Sequence, residues 1–260
     1  MATLLTMRAE AERLALPIEA AAIRPDTIAG RSRREIEGLP IVAGNRTERL
    51  GDLFEVRGDG VEEVEIEGDL ARVALLGAGM GRGSLVVRGP VGPRAGSRMS
   101  GGRLALGSDA GPLAGEGMTG GLLRIRGTAG DHLAAPLPGH PRGMDGGVIL
   151  VEGNTGAMAA MRMRRGTIAI AGDAGPGAGC AMLAGSLFVF GRLGAGAGAL
   201  MQRGTIVAFR PHPPFLNLYF DGLEAAGFAL PREARGGRYR RRVGDISGPG
   251  KGEILTLEGT

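Results

Sequence analysis

Residues 166–184 read GTIAIAGDAGPGAGCAMLA, and residues 185–203 read GSLFVFGRLGAGAGALMQR. The two stretches agree position by position. A glycine opens each one, apolar residues follow two and four positions later, and a methionine stands sixteen residues after the glycine. The same spacing extends along the chain on the N-terminal side of this pair. A fixed period of 19 residues is typical of a solenoid, in which each repeat packs only on its neighbours.

Seven glycines begin repeats of this kind, and they are called start glycines below. They are Gly83, Gly102, Gly121, Gly147, Gly166, Gly185 and Gly204. Successive start glycines are 19 residues apart, except for the 26 residues between Gly121 and Gly147. Because equivalent positions superpose in stacked repeats, we expect one buried methionine ladder. Its members are Met80, Met99, Met118, Met144, Met163, Met182 and Met201.

Each repeat also carries the pattern of a short strand followed by glycine turns. The apolar residues two and four positions after the start glycine predict a strand with one buried face. The ninth position is glycine in the six complete repeats, which predicts a positive φ or a close backbone approach there. These turn glycines are Gly92, Gly111, Gly130, Gly156, Gly175 and Gly194. The sequence therefore predicts an all-β chain folded as a right-handed parallel β-helix with 19-residue coils.

The repeats divide the chain into three segments. Residues 1–50 lack the period and are expected to form an N-terminal cap, residues 51–209 the β-helix, and residues 210–260 a C-terminal cap. Phe215, Tyr219 and Leu223 fall on one helical face, so the C-terminal cap should combine a helix with an arginine-rich tail. Terminal caps are needed because the last repeat of a solenoid exposes both core and strand edge.

Composition excludes several classes of protein. The chain has one cysteine, which rules out an intrachain disulfide framework and a cysteine-ligated cluster. It shows neither a signal peptide nor an apolar run of membrane-spanning length, so we expect a cytoplasmic protein that does not contact the membrane. The net charge is +4, and the basic cluster at Arg240, Arg241 and Arg242 has no nucleic-acid motif around it. That cluster is interpreted as a solvated or interface-pairing tail.

Two further regions are candidates for partner contacts. The insertion at residues 131–143 contains His132 and His140 and should bulge from one face of the solenoid. It admits either a plain surface loop or a metal site that includes Asp131. The sequence shows no catalytic constellation, and we assign no catalytic or metal-ligating residue to this chain.

The outward positions of the predicted strands are unusually apolar at four places. Val86, Leu150, Phe188 and Phe190 stand three or five residues after their start glycines, where side chains should point away from the core. An apolar strip of this kind is typical of a surface that is covered by another molecule. The sequence therefore predicts a partner interface along this strip.

A family resemblance adds to this interpretation. The pattern Gly-x-x-Gly-x-x-x-Gly recurs at residues 89–96, 172–179 and 191–198. It resembles the glycine repeat shared by the C (gamma) subunit of formylmethanofuran dehydrogenase and the C-terminal domain of the glutamate synthase large subunit. The stretch from Ile23 to Val56 is similar to that gamma subunit, and residues 240–245 and 250–255 resemble the gamma subunit of bacterial formyltransferase/hydrolase complexes.

The resemblance implies a scaffold subunit without catalytic residues. The complex it implies moves a formyl group from formyl-tetrahydromethanopterin to a methanofuran-type carrier and hydrolyses it to formate. The resemblance places a metal in the hydrolase partner and no cofactor on this chain. Its implied partners are hydrolase, formyltransferase and dehydrogenase-like subunits. Two alternatives stay open: a structural subunit of a true formylmethanofuran dehydrogenase, and a β-helix enzyme that acts on carbohydrates.

Overall fold

The computed structural model describes residues 2–9, 11, 16–208, 216–235, 239–243 and 250–257. The N-terminal elements are strands Thr3–Met7 (β1), Ile18–Glu19 (β2), Pro40–Ala43 (β3), Arg46–Arg49 (β4), Phe54–Arg57 (β5), Glu63–Glu67 (β6) and Val73–Ala74 (β7), with helices Pro25–Ile28 (α1), Arg33–Glu37 (α2) and Leu50–Leu53 (α3). The repeat strands are Ser84–Arg88 (β8), Ser100–Leu106 (β9), Gly120–Ile125 (β10), Asp145–Val151 (β11), Arg165–Ile170 (β12), Ser186–Val189 (β13) and Thr205–Ala208 (β14). The C-terminal elements are helix Leu216–Ala225 (α4), a 3-10 turn at Arg232–Arg235, and strands Tyr239–Val243 (β15) and Glu253–Leu257 (β16).

Twelve of these strands form one sheet. Its order is β15-β16-β14-β13-β12-β11-β10-β9-β8-β6-β1-β5. Strand β6 pairs in parallel with β8, and each strand from β8 to β14 pairs in parallel with the next. The register follows the sequence period, since Ile168 pairs with Leu187 and Leu187 pairs with Ile206. The turn segments also form parallel bridges from one repeat to the next, as from Thr155 to Ala174. The prediction of a mostly β chain built from large sheets is confirmed.

The ladder methionines lie inside the stack of repeats, and each is at most 2% exposed. The side chain of Met144 reaches the neighbouring repeat, where its methyl group would lie 2.7 Å from a Cβ added to Gly166. Met163 stands in the same relation to Gly185, at 2.9 Å, and Met182 to Gly204, at 2.8 Å. At these start glycines a side chain is excluded twice, by a thioether from the adjacent coil and by a positive φ, which all seven start glycines adopt. This contact links the two residue types that define the repeat.

The turn glycines owe their identity to close packing. None of the six has a positive φ, so the left-handed backbone that the sequence suggested for them is wrong. A Cβ on Gly175 would lie 2.6 Å from the carbonyl carbon of Gly156, and one on Gly194 would lie 2.5 Å from that of Gly175. These distances leave no room for a methyl group, because real Cβ contacts are longer. Close backbone approach between successive repeats is the reason for glycine at this position.

Positive φ angles occur at all seven start glycines, and again later in each repeat at residues that include many non-glycines. Positions 11, 13 and 15 after the start glycine adopt them, as at Met158 (φ 59°), Ala160 (φ 60°) and Arg162 (φ 52°). A left-handed conformation costs an L-residue about 1–2 kcal/mol. The stacked turns therefore hold several strained residues in place through their contacts with neighbouring repeats.

The N-terminal segment contributes a strand near one end of the large sheet. Strand β1 pairs in parallel with β6 and antiparallel with β5, so the first residues of the chain join the large sheet. A four-stranded sheet, β4-β3-β2-β7, lies beside it. Helix α2 begins with a capping box, in which Ser32 and Glu35 bond each other's backbone and side chain. Ile23, Ile28 and Leu50 from this segment are fully buried in the same core as the methionine ladder.

The C-terminal segment contributes two different elements. Strand β16 pairs in parallel with β14 and antiparallel with β15, so a hairpin extends the sheet at its C-terminal end. Helix α4 packs along the outer face of the sheet, and the prediction of a helix over the end of the stack is wrong in this respect. Phe215, which the sequence placed on the helix face, lies outside the described residues. The described part of the tail pairs with this chain's own sheet, whereas the sequence suggested a solvated or interface-pairing tail.

Candidate interaction surfaces

The outer face of the sheet is covered by the chain itself over its C-terminal half. Leu150, Phe188 and Phe190 form a second core with Phe220 and Phe228 from the C-terminal segment. The ring of Phe188 lies 6.0 Å from that of Phe220, and the ring of Phe190 lies 5.5 Å from that of Phe228. These distances are those of favourable aromatic pairs. The apolar strip is therefore an intramolecular core.

This result corrects the partner interface predicted for the strip. Leu150 is 0% exposed, Phe188 1% and Phe190 9%, so none of the three is available to another molecule. The sequence correctly indicated that these side chains point away from the inner core. The element that covers them is helix α4 of the same chain, not a partner. Only Val86, which lies beyond the end of α4, is half-buried.

The N-terminal half of the same face forms a cleft of about 350 Å³. We call it the arginine cleft, after the residues that line it: Val86, Arg88, Arg103, Ala105, Leu106, Gly107, Leu122, Arg124, Arg126 and Ala226. Two of its guanidinium groups are paired, Arg88 with Glu65 at 2.9 Å and Arg124 with Glu152 at 2.6 Å. Within the described residues, Arg103 and Arg126 form no ion pair. The strand pattern marks Arg124 and Arg126 as outward positions, but it does not bring these four side chains together.

The insertion at residues 131–143 borders a second cleft of about 350 Å³. His132 and His140 both line it, beside Pro136 and Met161. The carboxylate of Asp131 accepts a hydrogen bond from the backbone of Ala157 at 2.8 Å. Across the described residues, no group of three or more His, Cys, Asp or Glu side chains is placed to hold a metal ion. The two histidines are therefore close to one surface, with no metal-binding arrangement around them.

The arginines of the tail lie on strand β15 at the end of the large sheet. Arg240, Arg241 and Arg242 are exposed, and Arg241 pairs with Glu253 at 2.8 Å. Burial raises the pKa of the neighbouring Tyr239 above its ordinary value. The cluster is thus an exposed basic strand rather than a free tail over the residues that the structure describes.

One buried polar cluster was not predicted from the sequence. Glu116 is 3% exposed and accepts a short hydrogen bond from the hydroxyl of Ser97, one repeat away. The guanidinium groups of Arg94 and Arg98 approach the same carboxylate at 3.4 and 3.8 Å. Buried carboxylates require such partners. The period does link residues 97 and 116, which are 19 apart, but a single glutamate among small residues gave no signal of its partners.

Among the described helices, none is long and apolar enough to cross a membrane. The described surface consists of stacked parallel strands with a self-covered outer strip and two open clefts. This combination defines a glycine-repeat protein built on a large, mostly parallel sheet.

Comparison with known proteins identifies the family. No family model matches the chain. One chain in the crystal structure of the formyltransferase/hydrolase complex from Methylorubrum extorquens, determined with methylofuran, superposes with a TM-score of 0.90 and 36% identity, covering 98% of this chain and 100% of that one. The C subunit of tungsten-containing formylmethanofuran dehydrogenase 2 from Methanothermobacter wolfeii is 38% identical over 33% of this chain, and the C subunit of the Methylorubrum extorquens formyltransferase/hydrolase complex is 40% identical over 28%. The matched segments span about a third or less of these relatives' own length. The chain belongs to the family formed by the C subunits of formylmethanofuran dehydrogenase and of the formyltransferase/hydrolase complex.

Proposed function

We propose that this chain is a non-catalytic scaffold subunit of a formyltransferase/hydrolase complex. The complex transfers a formyl group from formyl-tetrahydromethanopterin to a methanofuran-type carrier and hydrolyses the formyl carrier to formate, in the cytoplasm. The observation that carries the proposal is the likeness, over the whole chain, to one chain of a formyltransferase/hydrolase complex solved with methylofuran. Catalysis then resides on hydrolase, formyltransferase and dehydrogenase-like subunits, and the hydrolase holds the metal.

The proposed scaffold is a right-handed parallel β-helix with three segments. The parallel register of 19 residues and the second line of bridges through the turns support one coil per repeat. Residues 1–50 are the N-terminal cap, residues 51–209 the β-helix and residues 210–260 the C-terminal cap and tail. A solenoid of this kind is stiff and presents long faces, which suits a subunit that holds others in place.

The surfaces proposed for partner contacts are three of the predicted ones that are exposed or half-buried in the described structure. They are the cleft beside His132 and His140, the exposed strand that carries Arg240, Arg241 and Arg242, and the surroundings of Val86. The turn glycines and the methionine ladder serve the fold and take no part in binding. Leu150, Phe188 and Phe190 are removed from the set of interface candidates, because α4 covers them.

A second candidate is a structural subunit of a true formylmethanofuran dehydrogenase. It is favoured by the number of curated relatives that carry this name, at 35–38% identity. Each of them matches about a third of this chain, whereas the chain of the transferase/hydrolase complex matches nearly all of it. The carbohydrate-active alternative is not carried further, because the family of the chain is known.

The test is affinity purification of the chain, with a tag on its N-terminus, from its native source. We expect stoichiometric recovery of formyltransferase and hydrolase subunits, which mass spectrometry identifies, and formate release from formyl-tetrahydromethanopterin by the eluate. Metal analysis distinguishes the two candidates. Molybdenum or tungsten at one equivalent per complex would support the dehydrogenase, and their absence together with formate release supports the transferase/hydrolase. Recovery of the chain without any partner would refute both.

A further inference from the structure

The outer face of the sheet is divided into a covered half and an open half. One column of outward positions runs Val86, Ala105, Arg124, Leu150, Ala169 and Phe188 in register across the strands. From Leu150 onwards these residues are buried under α4. The arginine cleft begins where the helix ends, since Ala226 forms one of its walls. The cleft is therefore a direct continuation of a surface on which this chain already seats a helix.

The floor of the cleft is apolar and its rim is basic. Val86 and Ala105 form the floor and are half-buried. Arg88 and Arg124 are neutralised by Glu65 and Glu152, whereas Arg103 and Arg126 form no ion pair with any described residue. Guanidinium groups bind carboxylates with two parallel hydrogen bonds, and this geometry makes arginine the preferred partner of acidic side chains at interfaces. A ligand of the cleft would therefore need an apolar surface to cover the floor and two anionic groups to pair with Arg103 and Arg126.

The dimensions of the cleft suit a short helix. It crosses the strands β8, β9 and β10, which span about 10 Å at a strand spacing of about 4.8 Å. Two turns of α-helix measure about 11 Å. The neighbouring helix α4 shows how the strip is filled, because Phe220 and Leu223 pack on it from one helix face. An occupant of the arginine cleft needs the same apolar face, with carboxylates added beside it.

We propose that the arginine cleft is the docking site for an acidic amphipathic helix of a partner subunit, whose carboxylates bind Arg103 and Arg126. This inference rests on the proposed function, since the partner belongs to the same complex. The apolar floor favours a protein segment over a small anion, because a small anion would leave Val86 and Ala105 in contact with water. Because the contact would pair both arginines with carboxylates, its affinity should fall as the salt concentration rises.

The test uses the complex purified from its native source, with p-benzoylphenylalanine in place of Ala105 and photo-crosslinking followed by mass spectrometry. We expect a crosslink to a partner segment with Asp or Glu beside apolar residues at helical spacing. Arg103→Glu with Arg126→Glu should weaken retention of that partner by about tenfold or more, because the reversed charges would repel the carboxylates of the partner. The matched control, Arg165→Glu with Arg203→Glu, reverses two exposed arginines outside the cleft and should leave retention unchanged.

The outcomes separate this inference from the proposed function. A complex that purifies intact, with no crosslink from position 105 and normal retention of partners by the Arg103→Glu, Arg126→Glu variant, overturns the docking site and leaves the scaffold role standing. A crosslink to a basic segment, or equal losses in the variant and its control, overturns the docking site as well. A chain that purifies without partners overturns both proposals.

Discussion

Glycine-to-alanine substitutions at two positions separate two reasons for glycine in this chain, close backbone approach and left-handed backbone. A third substitution, in a helix, serves as a reference. Gly175 has an ordinary φ, but an added Cβ would lie 2.6 Å from the carbonyl carbon and 2.7 Å from the oxygen of Gly156. Gly196 has φ +70° and nothing within 4 Å of an added Cβ. Gly222 lies in helix α4 and also has nothing within 4 Å. The three positions therefore isolate steric overlap, left-handed backbone and helix propensity.

The expected changes in the free energy of unfolding differ in size and in sign. Gly175→Ala forces apart the backbones of two stacked repeats, and overpacking of this kind costs about 2–3 kcal/mol. Gly196→Ala places an L-residue in the left-handed region, at a cost of about 1 kcal/mol. Gly222→Ala removes a flexible residue from a helix and should stabilise the chain by up to about 1 kcal/mol.

The assay is thermal and urea unfolding of the chain, followed by far-ultraviolet circular dichroism. For a chain of this size 1 kcal/mol shifts Tm by about 2–4 °C, so Gly175→Ala should lower Tm by about 4–12 °C. Gly196→Ala should lower it by about 2–4 °C. A Gly175→Ala variant that melts at or above the temperature of Gly196→Ala would refute the close-approach explanation of the turn glycines.

Three other predictions test the covered strip, the strained turns and one ion pair. Phe188→Asp with Phe190→Asp should detach α4, seen as fast hydrogen exchange at residues 216–225 with the repeat strands still protected; unchanged exchange would contradict the packing of α4. Ala181→Gly should raise stability by up to about 1 kcal/mol in urea unfolding, because it relieves a φ of 52°; a clear loss of stability would count against strain there. The backbone N–H and the guanidinium of Arg192 hold the pKa of Asp173 below its ordinary value of 3.8. Its stabilisation is therefore present above that value and lost as pH falls through the lower, folded pKa. Asp173→Asn should accordingly flatten the acid side of a Tm-against-pH profile, and identical profiles would refute this.

The repeat architecture could be predicted because each repeat meets the same constraint. Each start glycine has a positive φ, and most of them also accommodate a methionine methyl group from the adjacent coil, so the glycine and methionine recur together and are visible in the sequence. The turn glycines were also visible in the sequence, but the reason for glycine there was not. A positive φ and a close backbone approach both select glycine, so the sequence does not distinguish them. Positive φ at Met158 and Arg162 left no trace, since the strain is held by contacts with stacked neighbours.

The surfaces were harder to predict for a different physical reason. Alternation along a strand shows that Phe188 and Phe190 point outward, but it does not show which chain covers them. The covering residues, Phe220 and Phe228, lie some 30–40 positions later in the chain. The arginine cleft combines side chains from three repeats at different offsets, and so no single-repeat pattern contains it. Similarly, the partners of Glu116 come from a neighbouring repeat whose equivalent residue is a serine.

We propose that this chain holds a formyl-processing complex together and performs no chemistry itself. The most direct measurement is formate release from formyl-tetrahydromethanopterin by three preparations: the purified complex, the isolated chain, and partner subunits produced without the chain. We expect activity in the complex, none in the isolated chain, and partners that neither co-purify nor release formate until the chain is added back. Formate release by the isolated chain, or full assembly and activity without it, would refute the scaffold role.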